Sequence, residues 1–145
     1  MTLFVIGVYV GLALVVAAAG VLFWRWKRPK PLKTDYFQIK WQELQKLLPD
    51  KKQWATAIAE ADQLLDQALR KKHIRGRTMG ERLVKAQRLF TDNDGVWFGH
   101  KLRNKIDAEP TFKLKETDVK QALMGIRQAL KDVGALPNGQ LTDQK

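Results

Sequence analysis

The amino-acid sequence reads as all-α: one N-terminal transmembrane helix followed by a cytoplasmic bundle of about five helices. Three observations lead there. Thr2 to Trp24 is 23 residues without a charge, and as a helix rising 1.5 Å per residue it reaches about 35 Å, enough for a hydrocarbon core of roughly 30 Å. All 41 charged side chains fall in the 121 residues that follow, where apolar residues recur at three- and four-residue steps. Runs of β-branched residues are missing there, and Pro and Gly cut the remainder into helix-length pieces. With 145 residues the chain has room for one small domain. The absence of cysteine removes disulfide staples, thiolate metal sites and Cys nucleophiles. Only His73 and His100 remain for imidazole chemistry.

Residues 1–25 read as an anchor. Ala17, Ala18 and Ala19 resemble a signal-peptide cleavage site, but no Lys or Arg precedes the apolar run, which continues through Val21, Leu22, Phe23 and Trp24. Arg25, Lys27, Arg28, Lys30 and Lys33 then place five cations in nine residues. Retained on the cytoplasmic side, they orient a single-pass helix in the cell membrane with its N-terminus outside. Trp24 and Trp26 suit the headgroup region, and the cations attract anionic lipid headgroups at roughly 1 kcal/mol each. Gly7 and Gly11 have the spacing of a helix-pairing motif, although glycine is ordinary filler in membrane helices.

Residues 26–34 form a basic linker stiffened by Pro29 and Pro31. The bundle is expected over 35–136. Phe37, Trp41, Leu44 and Leu48 predict a first helix ended by Pro49. Trp54, Ile58, Ala61, Leu65, Ala68 and Leu69 form the stripe of the longest helix, Lys51 to Lys72. A connector follows, and Thr78 with Glu81 has capping-box spacing before a helix to Phe90. Asp92-Asn93-Asp94-Gly95 predicts a turn, then a helix from Val96 to Asp107. Thr117 is expected to cap a last helix carrying Val119, Leu123, Ile126, Leu130 and Val133, stopped by Gly134. Residues 137–145 read as a flexible tail.

On the Val96 to Asp107 helix, Phe98, Leu102 and Ile106 share one side, while His100, Arg103, Asn104 and Asp107 occupy a sector nearly opposite. The plain structural reading is an Arg103–Asp107 ion pair, a solvated Asn104 and His100 packed over Trp97. The functional reading is a binding face of His100, Lys101, Arg103 and Asn104.

Leu102-Arg103-Asn104 near a helix end, followed by a short loop and a last amphipathic helix, resembles the end of HEPN domains, which carry Arg-Asn-x-x-x-His there. Trp54-x-x-x-Ile58-x-x-Ala61-Asp62-x-Leu64-Leu65-Asp66, Thr78-Met79-Gly80-Glu81-Arg82-Leu83 and Trp97-x-x-His100-Lys101-x-Arg103-Asn104 also look like an uncharacterised group of bacterial single-span proteins on this plan. The resemblance covers roughly residues 38–136. It implies a helical bundle that dimerises through the motif face, and, in active members, metal-independent RNA cleavage by the arginine and histidine. Here the motif histidine falls at Ala108. Attack of a ribose 2′-hydroxyl needs a base and an acid as well as positive charge, and Arg103 supplies only the last.

Residues 36–145 carry 21 basic and 14 acidic side chains, with Arg70, Lys71, Lys72, His73, Arg75 and Arg77 gathered at one connector. Such a patch suits RNA phosphates or anionic lipid, and the lipid reading is preferred because aromatic RNA-binding motifs are missing. Trp41 and Trp54 lie on apolar stripes and read as core. Asp62 and Asp66 are spaced i, i+4 but have no His nearby in sequence, which favours a surface position or a bond to a neighbouring helix over metal or acid-base work. Asp92 to Gly95 lacks the glutamate a calcium loop requires. No phosphate-cradling glycine loop or nucleophile elbow occurs. The expectation is a membrane-anchored binding or adaptor protein on a catalytically inactive HEPN-like domain, a homodimer without cofactor or metal. The alternatives are a tethered RNase using Arg103, His100 and Asn104, or an RNA- or lipid-binding module without catalysis. No particular protein partner is indicated.

Overall fold

The computed structural model describes residues 1–28 and 31–138. Pro29 and Lys30 of the expected linker, and residues 139–145 of the expected tail, lie outside these. The described residues form α-helices joined by short connectors, with no strand among them, and fall into two units divided after Lys30.

The first unit is helix α1, Thr2–Lys27. It buries none of its residues, so Leu3, Phe4, Tyr9, Leu12, Leu22 and Phe23 are all exposed. A helix apolar on every side and this long satisfies the length and composition of a membrane span. Its polar end is organised: the Arg28 guanidinium lies 3.7 Å from the Trp24 ring centre, and Lys27 Nζ lies 4.7 Å from that of Phe23. The helix runs through Lys27, into the segment read as linker.

The second unit is a five-helix bundle: α2 (Thr34–Gln45), α3 (Trp54–Lys71), α4 (Met79–Ala86), α5 (Asn93–Ala108) and α6 (Glu116–Asp132). Short 3₁₀ turns at Lys51–Gln53 and Gln87–Leu89 lead into α3 and out of α4. Helix α3 is the hub, packing against α2, α4, α5 and α6. Its stripe is the expected one: Ile58, Ala61, Leu65, Ala68 and Leu69 are fully buried. They meet Phe37 and Leu44 of α2, Leu83 of α4, Val96 of α5, and Ile126 and Leu130 of α6 in one core. Trp41 and Trp54 belong to that core, and the Trp54 indole donates to the Leu48 carbonyl at 2.8 Å.

Helices α5 and α6 make the most intimate pairing. A methyl group at Gly125 would collide with the backbone of Gly95, and one at Gly99 would meet Ile126 and the Ala122 carbonyl. Three glycines thus let two helix backbones touch.

Helix ends follow local chemistry, with two departures from expectation. Thr78 caps α4 by accepting from the Glu81 amide at 3.2 Å, while the Glu81 carboxylate accepts from the Arg77 amide at 2.7 Å. The expected turn at Asp92 to Gly95 is instead the start of α5: the Asp92 side chain accepts from the Gly95 amide at 2.9 Å, which makes it the N-cap of a helix beginning at Asn93. Thr117 does not cap α6. The helix starts a residue earlier, at Glu116, so Thr117 already lies inside its first turn.

Helices α3 and α6 end alike. The Ile74 amide donates back to the Leu69 carbonyl at 3.0 Å, and the Ala135 amide donates to that of Leu130 at 2.8 Å. This wrap requires a left-handed residue just past the helix. Gly134 fills that place on α6 with φ 79°, whereas His73 fills it on α3 with φ 61°.

Candidate functional site

Two carboxylates one turn apart on α3 organise the polar interior. Asp62 is buried and faces α5, where the buried His100 places Nδ1 3.0 Å from Asp62 Oδ1 and 3.2 Å from Oδ2. A carboxylate accepts only, so Nδ1 carries the proton it donates, and Nε2 is left as the acceptor for the Asn104 amide at 3.3 Å. The Trp97 ring meets His100 edge-on at 5.9 Å. Gly80 in the first turn of α4 lies beside Nε2, Thr78 Oγ1 and the Trp97 ring.

Asp66 holds the next layer. Arg82 of α4 is buried, with Nε 2.5 Å from Asp66 Oδ1 and Nη1 donating to the Gly76 carbonyl at 2.6 Å. The other Asp66 oxygen takes exposed Arg70 at 2.8 Å. Each α3 carboxylate therefore ties down a neighbouring helix through a cation or an imidazole, which is the inter-helix bond foreseen as one reading of Asp62 and Asp66.

The placement of His100 corrects the expectation of an open polar face. Val96 lies only about 40° from His100 around the helix at 100° per residue, and it is as deeply buried as any residue of α5. Helix α5 sits against both α6 and α3, so its buried arc runs from Leu102 through Gly99 to Val96 and His100. Arg103 lies within that arc, half-buried and with Nε enclosed, while Asn104 lies just beyond it and is exposed. Arg103 pairs with Asp107 at 3.0 Å, as the plain structural reading expected, and Lys101 sits 6.0 Å from the centre of the Trp97 ring. Ala108 ends α5 and is exposed.

Catalysis by His100 meets two obstacles: its ring is enclosed, and both nitrogens are engaged. No group of three or more His, Asp or Glu side chains suited to a metal occurs among the described residues. The basic connector is divided. Arg70 is committed to Asp66, and Lys71 lies over the Tyr36 and Phe37 rings at 4.9 and 5.5 Å, while Arg75 and Arg77 are exposed. At the other unit, Trp24, Arg25, Trp26, Lys27 and Arg28 are exposed at the end of α1.

Arg82 is the important residue that sequence reasoning missed. Its one available signal was position: Arg82 lies beside Leu83 and four residues before Ala86, on the buried side of a short helix. No protein-family model, curated protein or solved structure matches this chain.

Proposed function

We propose that this chain is a single-pass membrane protein, N-terminus outside, whose cytoplasmic HEPN-like bundle works by binding and not by cleaving RNA. The observation that carries the reading is the enclosure of His100 against Asp62 together with alanine at position 108, where the motif histidine would stand. Without a free imidazole, Arg103 provides charge but no proton transfer. Half-buried and paired with Asp107, Arg103 borders with the exposed Asn104 the accessible side of α5, where a second copy of the chain or a partner protein docks. Helix α1, apolar on every side, supports the anchor, and the cations after it support the orientation.

Two measurements test this. Membranes bearing the full chain are extracted with alkaline carbonate, and a protease is added from the cytoplasmic side; retention in the pellet with digestion of the bundle is expected. The purified full chain is then incubated with labelled RNA beside Arg103→Ala and His100→Gln. Intact RNA in all three is the expected result, whereas cleavage lost on either substitution would reinstate the RNase. Light scattering in detergent, with and without Arg103→Ala, reads the proposed self-association.

A further inference from the structure

The connector between α3 and α4 is built to hold cations outward. Along residues 73–77 burial alternates: His73, Arg75 and Arg77 are exposed, while Ile74 and Gly76 turn inward. Ile74 packs on the core, and the Gly76 carbonyl is gripped by the buried Arg82, which leaves no room for a methyl group at Gly76. Both ends are tied, at Ile74 to the Leu69 carbonyl and at the Arg77 amide to Glu81. Past the left-handed His73, the segment 74–76 is neither helix nor turn, and its side chains point alternately in and out.

The local acids are already used. Asp66 is shared by Arg82 and Arg70, and the Glu81 carboxylate turns back to the Arg77 amide. None of the ion pairs among the described residues involves Lys72, Arg75 or Arg77. Arg75 and Arg77 thus stand outward on a tied backbone, with half-buried Lys72 at their edge, so less ordering is lost on an anionic surface than a flexible basic tail would lose.

We propose that this connector docks on anionic phospholipid headgroups through Arg75 and Arg77, with Lys72 beside them. The inference rests on the membrane-anchored reading above, because a tethered bundle meets a bilayer continuously. Nucleic acid is the less favoured occupant: the segment from Lys72 to Arg77 contains no Phe, Tyr or Trp on which a base stacks, its one ring being the imidazole of His73.

The chain has no cysteine, so a single introduced thiol reports cleanly. The full chain carrying His73→Cys is reconstituted into nanodiscs of neutral phosphatidylcholine or of phosphatidylcholine with phosphatidylserine, and labelled with a charged maleimide. Phosphatidylserine is expected to slow labelling about tenfold. The protection is expected to disappear in high salt and when Arg75→Gln and Arg77→Gln are added. Met124→Cys on α6, 71% exposed in the parent chain, is expected to label equally in both lipids. A chain that fails to co-elute with the discs overturns the anchor and the proposal with it. Co-elution with equal labelling at position 73 overturns the proposal alone. Protection given by single-stranded RNA in neutral discs, and not by phosphatidylserine, assigns the connector to nucleic acid instead.

Discussion

Asp62, Asp66 and Arg82 carry more of the architecture than their number suggests, because each is a charge or acceptor that burial forbids to stand alone. Replacing Asp62 with alanine leaves the His100 Nδ1 proton enclosed without an acceptor. The expected loss is about 1–3 kcal/mol by urea unfolding, and a change below about 0.5 kcal/mol, the scale of ordinary surface substitutions, would show that the ring finds another partner. Arg82→Ala strands the Gly76 carbonyl and half of Asp66. A loss of about 3 kcal/mol is expected, with proteolysis of the connector as its local sign. His73 offers the opposite case. It occupies a left-handed conformation that costs a non-glycine residue about 1 kcal/mol, so His73→Gly is expected to raise the melting temperature, by analogy with Gly134 at the equivalent place on α6.

Among the helices, the α5–α6 crossing is the least tolerant of added volume. Gly125→Ala forces the two backbones apart, since the new methyl meets main chain that cannot rotate away. A loss of at least about 1–3 kcal/mol is expected in thermal unfolding. At the start of α6, the hydrogen bond from Lys120 and its charge, at 2.8 Å, hold the Glu116 carboxyl below its ordinary pKa. A lowered pKa in the folded state means that the pair contributes above the unfolded value and is lost as pH falls through the folded one. Amide protection factors at the start of α6, corrected for the intrinsic slowing of exchange in acid, are therefore expected to fall on acidification, and Glu116→Gln to remove that pH dependence.

The same elements show what could be read from sequence. Stripes of Leu, Ile and Trp announce themselves, and the α3 and α6 faces emerged as expected. The second buried face of α5 did not, because it is built from Gly95, Gly99, Val96 and His100: two residues with no side chain, one short one and one polar one. Periodicity counts hydrophobic side chains, and a contact made by backbone leaves no such mark. Arg82 escaped for a related reason, since its burial is decided by a carboxylate sixteen residues away. Asp62 and Asp66 were visible as a pair, but their buried partners, His100 and Arg82, come from other helices.

At the scale of the whole chain, the two units differ in what they require. The bundle contains its own core, so residues 31–145 alone are expected to unfold cooperatively in water, with helical circular dichroism and no detergent. A fragment that melts without a sigmoidal transition would mean that α1 contributes to the fold.

On the membrane anchoring proposed above, α1 would also transmit force. Tension drawn through the linker enters the bundle at Thr34 and arrives first at α2, which rests chiefly on the hub helix. Its hold consists of Phe37, Trp41 and Leu44, with Tyr36 hydrogen-bonded to Gln67 at 3.1 Å. A pull on the tether would peel α2 away before the α3–α5–α6 centre yields, so this helix is the bundle's mechanical fuse.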